Sequence, residues 1–194
     1  MTSKPTKIIA FVAALALISS VVVTQAWAAD LDDLEHLAPL TLIAGQGADS
    51  HQPGLADQEQ WRVYWFWSGE SSCSRRAEPG ISSLVEAFPE VEVIVVMSNV
   101  DESLEEAKQI LADADLGVPV YRDEQARLAR VLGATMTPEV VVVDDEEVRF
   151  QGLPVRVGRR GMNSFVEEAL KALVAGEKPN REFVRPVGCP IRMP

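Results

Sequence analysis

The residues of this chain best suited to chemistry are its two cysteines, Cys73 and Cys189. Cys73 stands in the run Ser71-Ser72-Cys73-Ser74-Arg75-Arg76, which follows an apolar strand-like stretch at 61–67 and opens a helix-like one. The attacking species in cysteine chemistry is the thiolate, and both a helix N-terminus and neighbouring arginines favour it. The position therefore suits a nucleophilic or redox sulfur. Two cysteines allow one intramolecular disulfide or two separately reactive thiols, and the sequence alone admits both.

These thiols need a framework, and the chain reads as an alternating one. Val63, Tyr64, Trp65, Phe66 and Trp67 are all β-branched or aromatic, which predicts a strand over 61–67. A helix over 73–87 follows, interrupted early by Pro79-Gly80. The nearly continuous apolar run at 91–97 predicts a strand buried on both faces. Leu104, Ala107, Ile110 and Leu111 keep helical spacing, which predicts a helix over 101–114 with Asp101 or Ser103 as its N-cap. Shorter signals give a strand at 118–121, a helix at 124–132 ending at Gly133, a hairpin of 140–143 with 148–151, and a helix over 162–175. Residues 153–161, rich in Gly and Arg, read as a loop. The order β-α-β-α-β-α-β-β-α calls for an α/β fold: a central, mainly parallel sheet with helices on both faces and a C-terminal antiparallel hairpin.

Residues 1–28 read as a signal peptide. Lys4 and Lys7 precede an uninterrupted low-polarity stretch from Ile8 to Val23, and Ala26-Trp27-Ala28 has the small-x-small form of a cleavage site. That stretch is short of the ~20 residues a spanning helix needs, so no stable membrane span is expected after cleavage. Residues 29–60 form an irregular lead-in with one short strand near 39–43, residues 61–176 the folded domain, and residues 177–194 a tail carrying Cys189. Removing residues 1–28 takes two lysines and no acidic residue from a net charge of −11, leaving −13. Such a balance excludes nucleic acid as a partner, because phosphates need Lys and Arg. Export to the periplasm or beyond places both cysteines where disulfides persist.

The run Phe66-Trp67-Ser68-Gly69-Glu70-Ser71-Ser72-Cys73-Ser74-Arg75-Arg76-Ala77-Glu78-Pro79 resembles the active-site turn of the thioredoxin superfamily, in which F-W-x-x-x-C-x-x-C-x-x-x-x-P carries a redox dithiol. Phe66, Trp67 and Pro79 match, but the two dithiol positions fall on Ser71 and Ser74. Thr137-Pro138-Glu139, followed by Val140-Val141-Val142-Val143-Asp144, resembles the superfamily's cis-proline loop and the strand after it. Gly188-Cys189-Pro190-Ile191 resembles the ending of some exported redoxin-domain proteins. Together these cover about residues 60–194.

The resemblance implies a thioredoxin-like fold, enlarged by a strand-helix insertion, with a degenerate dithiol site. It implies a cis Thr137–Pro138 bond, with Thr137 and Pro138 beside the reactive cysteine and Trp67 near a peptide-facing surface. Two readings follow. In one, the chain is a thiol-disulfide oxidoreductase acting on protein thiols or disulfides of exported proteins, with Cys73 attacking and Cys189 resolving and no cofactor required. In the other, it is a non-catalytic binding or assembly module in which a Cys73–Cys189 disulfide only staples the tail. Other chemistries of the superfamily fit less well. A thiol peroxidase needs Thr or Ser three residues before the cysteine and Pro seven before, where this chain has Glu70 and Phe66. Copper chaperones of this fold use paired cysteines and a distal histidine. The pair is absent here, Met136 is the one soft neighbour in view, and His36 and His51 read as surface loop residues, so no metal site is expected.

Overall fold

The computed structural model describes residues 31–57, 60–114, 116–159 and 161–194, so the signal segment read at 1–28 lies outside the described residues. After a 3-10 helix at Leu31–His36 the elements run β1 (Leu40–Ala44), β2 (Ser50–His51), β3 (Arg62–Phe66), α1 (Ser72–Ala77), α2 (Pro79–Ala87), β4 (Glu92–Met97), α3 (Leu104–Asp113) and β5 (Val120–Arg122). There follow α4 (Arg127–Val131), β6 (Met136–Thr137), β7 (Glu139–Val143), β8 (Val148–Gly152), β9 (Val155–Gly158), β10 (Gly161–Ser164), α5 (Phe165–Val174), β11 (Phe183–Val184) and β12 (Cys189–Pro190).

The central sheet has the order β11-β8-β7-β3-β4-β5-β1-β2. β3, β4 and β5 pair in parallel, β7 returns antiparallel to β3, and β8 completes the antiparallel hairpin. Side chains of a strand alternate between faces, so β3 sends Val63 and Trp65, and Trp67 just after it, to one layer and Tyr64 and Phe66 to the other. The first layer is closed by α2, α3 and α5, through Ile81, Leu84, Ala107, Leu111, Val166 and Leu170. The second is closed by Leu34, by Leu128 and Leu132 around α4, and by Ile191 of the tail. Each large side chain so buried contributes about 1.5–3 kcal/mol.

Three segments depart from the sequence expectation. The lead-in holds the short strand expected near 39–43, as β1, and a second strand, β2, that was not expected. β1 pairs with β5 and β2 with β1, so residues 40–51 extend the central sheet at one edge. The segment 153–161 is not a loop. The alternation Val155-Arg156-Val157 makes β9, which pairs with β10 (Val155↔Ser164, Val157↔Met162) as a separate hairpin. As a result α5 starts later than expected, capped by Ser164, whose hydroxyl accepts from Glu167 N. The helix expected over 73–87 is two helices meeting at Glu78, because Pro79 at the start of α2 has no N–H to continue α1.

His51 is a further correction. It lies on β2 and not in a surface loop. Its side chain is only 13% exposed, packed against the rings of Tyr64 and Tyr121, with Nδ1 4.0 Å from Glu92. Its Nε2 is buried without a hydrogen-bond partner among the described residues. Burial, reinforced by the Arg62 guanidinium, holds the imidazole below its ordinary range, and Glu92 opposes this. The sign follows from linkage. Below pH ~6.5 the unfolded chain takes up a proton that the folded chain resists, so stability falls as pH drops through that region. His51→Phe is expected to flatten this acid limb in denaturant melts from about pH 7.5 to 5. An unchanged limb would assign the dependence to other groups.

Candidate active site

β3 delivers the chain to the turn at 67–71, and a buried carboxylate shapes that turn. Glu102 Oε1 accepts from Gly69 N at 2.7 Å and Glu70 N at 3.4 Å, while Oε2 accepts from Asn99 Nδ2 at 3.0 Å. The two positions that carry sulfur in the superfamily motif are buried and structural. Ser71 is the N-cap of α1: its hydroxyl accepts from Ser74 N and donates to Thr137 O, both at 3.2 Å. The Ser74 hydroxyl accepts from Ser68 N at 3.3 Å. Ser71→Ala is expected to destabilise the fold by about 1–2 kcal/mol, through loss of the cap and of the bond to the neighbouring loop. A denaturant midpoint unmoved by that change would deny Ser71 its structural role.

Cys73 follows in the first turn of α1. Its thiol is free and half-buried, and Arg76 Nη2 donates towards its Sγ at 3.6 Å. Arg76 is oriented by a second bond, from Nε to Ser72 O at 3.2 Å. Arg75 turns away and donates to Gly69 O. Cys73 and Arg76 line a groove of about 350 Å³ together with Pro138, Arg156, Val157 and Val187. The site is thus assembled from α1, the cis-proline loop, β9 and the tail.

The Thr137–Pro138 bond is cis. Glu139, almost fully buried, braces this loop from below. Its Oε2 accepts from Thr135 N at 2.8 Å, Met136 N at 3.0 Å and Thr135 Oγ1 at 3.4 Å, and its Oε1 accepts from Gln151 Nε2 at 3.0 Å. The tail covers the open edge of the loop. β12 pairs antiparallel with β6, placing Cys189 opposite Thr137 and Pro190 opposite Met136. Ile191 N donates to Thr135 O at 2.8 Å and Thr137 Oγ1 to Cys189 O at 3.4 Å. Beyond it, Arg192 N donates to Asn99 Oδ1 at 2.9 Å and its guanidinium pairs with Asp101 and Glu70. Gly188 permits this approach, since a Cβ there would stand 2.2 Å from Thr137 O.

The structure therefore gathers Cys73 and Pro138 at one groove and places Cys189 two residues beyond Val187, which lines the same groove. Cys189 is also a free, half-buried thiol. Trp67, expected near a peptide-facing surface, and Thr137, expected beside the reactive cysteine, are both buried. Trp67 is fully buried, with Nε1 donating to Glu78 at 3.0 Å, since it continues the inward-facing row of β3. Thr137 is buried under the tail. Burial holds the Glu78 carboxyl above its usual range, against the opposing bond from Trp67 and the charge of Arg75. Sequence reasoning missed the two bracing carboxylates, Glu102 and Glu139, and the groove residues Val157 and Val187, and it placed Arg156 in a loop. Only Glu139 had a local signal, its place directly after the proline of the loop.

No family model and no curated protein matches the chain. Solved structures do. An uncharacterized conserved protein of Geobacillus kaustophilus superposes with a TM-score of 0.65 at 18% identity, covering 81% of this chain and 89% of that one. A hypothetical protein of Sinorhizobium meliloti 1021 gives 0.62 at 17% identity, covering 81% and 96%. A thioredoxin-like protein, solved in solution in its oxidised form, gives 0.52 at 18% identity, covering 70% and 88%. The chain has a thioredoxin-like fold, with a cis-proline loop and a cysteine displaced from the two dithiol positions. Among the described residues no helix is long and apolar enough to cross a membrane.

Proposed function

We propose that the chain is an exported, redoxin-type thiol-disulfide exchange protein acting on protein thiols or disulfides, with Cys73 as the attacking sulfur. The observation that carries this reading is the placement of Cys73 Sγ in a groove with Pro138, 3.6 Å from the Arg76 guanidinium. The Cys73 thiolate attacks one sulfur of a substrate disulfide. A Cys73–substrate bond forms as the substrate's S–S bond breaks, and the departing thiolate takes a proton from water. Cys189 then attacks Cys73, releasing the second substrate thiol and leaving the two cysteines oxidised. The substrate disulfide has gained two electrons and the cysteine pair has lost them. No cofactor enters. The test is reduction of a protein disulfide by the fully reduced protein, with thiols counted before and after.

A second reading has its own support. Ser71 and Ser74 have become parts of the turn, so the fold no longer depends on sulfur at those positions. A non-catalytic polypeptide-binding module would keep such a scaffold. It requires function to survive loss of Cys73.

A further inference from the structure

Where the superfamily resemblance leads one to expect a substrate backbone, along the strand before the cis proline, this chain already holds its own tail. β6 is paired by β12, and Gly188 lies against the Thr137 carbonyl. A polypeptide reaching Cys73 must come from the other side of Pro138, through the groove bounded by α1, β9 and Val187. Two properties of that groove indicate what it takes. First, Val187 and Val157 are 63% and 53% exposed, the two most exposed large apolar side chains among the described residues. Met162, directly across the ladder from Val157, is also exposed. Exposed apolar rims on two sides of a groove mark a contact surface larger than a small molecule covers. Second, the only charged residues lining the groove among the described residues are Arg76 and Arg156, in a chain of net charge −11. Arg156 is held over the ring of Phe165, 5.3 Å from its centroid. Neither arginine is in an ion pair among the described residues, whereas the tail arginine, Arg192, and Arg149 are both paired with carboxylates.

We infer that the groove binds an extended, acidic polypeptide segment whose disulfide lies over Cys73, with apolar residues against Val157 and Val187 and carboxylates beside Arg76 and Arg156. The inference rests on Cys73 being the attacking thiol of the proposed function, and it adds the substrate class. The arginines act locally, within the ~8 Å over which charge is felt at physiological salt, while the negative charge of the rest of the surface is screened. They select the partner more than they tighten it.

The experiment uses three short peptides that differ only in carrying Glu, Gln or Lys on both sides of an apolar-flanked cysteine, each capped as the mixed disulfide with thionitrobenzoate. Release of thionitrobenzoate gives the exchange rate at about 0.15 M salt. Fluorescence anisotropy of the same peptides with serine for cysteine gives binding without chemistry. The Glu peptide is expected to react, and to bind, about five- to tenfold better than the Lys peptide. Arg156→Gln is expected to cut that ratio to about twofold or less, in exchange rate and in binding alike. Equal rates and equal binding across the three peptides, or preference for Lys, would overturn the inference and leave the exchange function standing. Tighter binding of the acidic peptide with no exchange by any of them would uphold the groove and overturn the exchange function. Neither exchange nor binding would overturn both.

Discussion

Cys73→Ser is expected to bring thiol-disulfide exchange to within about tenfold of the uncatalysed rate, with the fold intact. No other thiol stands in the groove, and a serine hydroxyl does not exchange with disulfides. The fold should survive because Cys73 is half-buried and its one described polar contact is with Arg76, on the surface. The reciprocal variant separates the two sulfurs. Cys189→Ser should still attack, but the mixed disulfide on Cys73 should persist for want of a resolving thiol, visible as a covalent adduct in intact mass spectra. A Cys73→Ser protein that keeps full function would establish the binding-module reading instead.

Glu139→Ala is expected to cost about 4 kcal/mol of stability. The change leaves two partly buried backbone N–H groups, those of Thr135 and Met136, and the buried Gln151 amide without their acceptor, and a donor orphaned away from water costs about 1–3 kcal/mol. For a domain of this size that corresponds to a fall in melting temperature of about 10 °C. The loop Glu139 braces carries Pro138 into the groove and Thr137 against the tail, so the loss should loosen both. Thermal and denaturant melts check the magnitude. A cost below about 1 kcal/mol would mean that water or neighbouring groups replace the carboxylate, and that the loop is held by its pairing with β12 alone.

The strands that carry the site were legible because they are buried on both faces. β3, β4 and β7 are continuous apolar runs, and that signal survives without any partner in view. The hairpin β9–β10 was not legible, because its alternation lasts three residues and then meets Gly158 and Gly161. β1 was legible as the short strand near 39–43, but β2 was obscured: it has two residues, and only its pairing with β1 makes it a strand. His51 was misplaced with it. The motif spacing located Cys73, Pro138 and Cys189 but not what Trp67 does, since its direction depends on the row of β3 to which it belongs. Glu102 reaches Gly69 across 33 residues and Thr137 reaches Cys189 across 52, contacts that no local pattern announces. Ser71 and Ser74 read as losses in the sequence. In the structure they are a cap and a turn bond, which explains how the turn persists without its sulfurs.

The most direct measurement is a thiol count across a graded glutathione redox series, with oxidised cysteines mapped by peptide mass spectrometry. A working exchange pair is expected to form a Cys73–Cys189 disulfide with a midpoint in the range of thiol oxidoreductases, about −270 to −120 mV. A bond that resists reduction below about −300 mV would be a structural staple. That result, or two thiols that never pair, would contradict the assignment of Cys73 and Cys189 as attacking and resolving sulfurs.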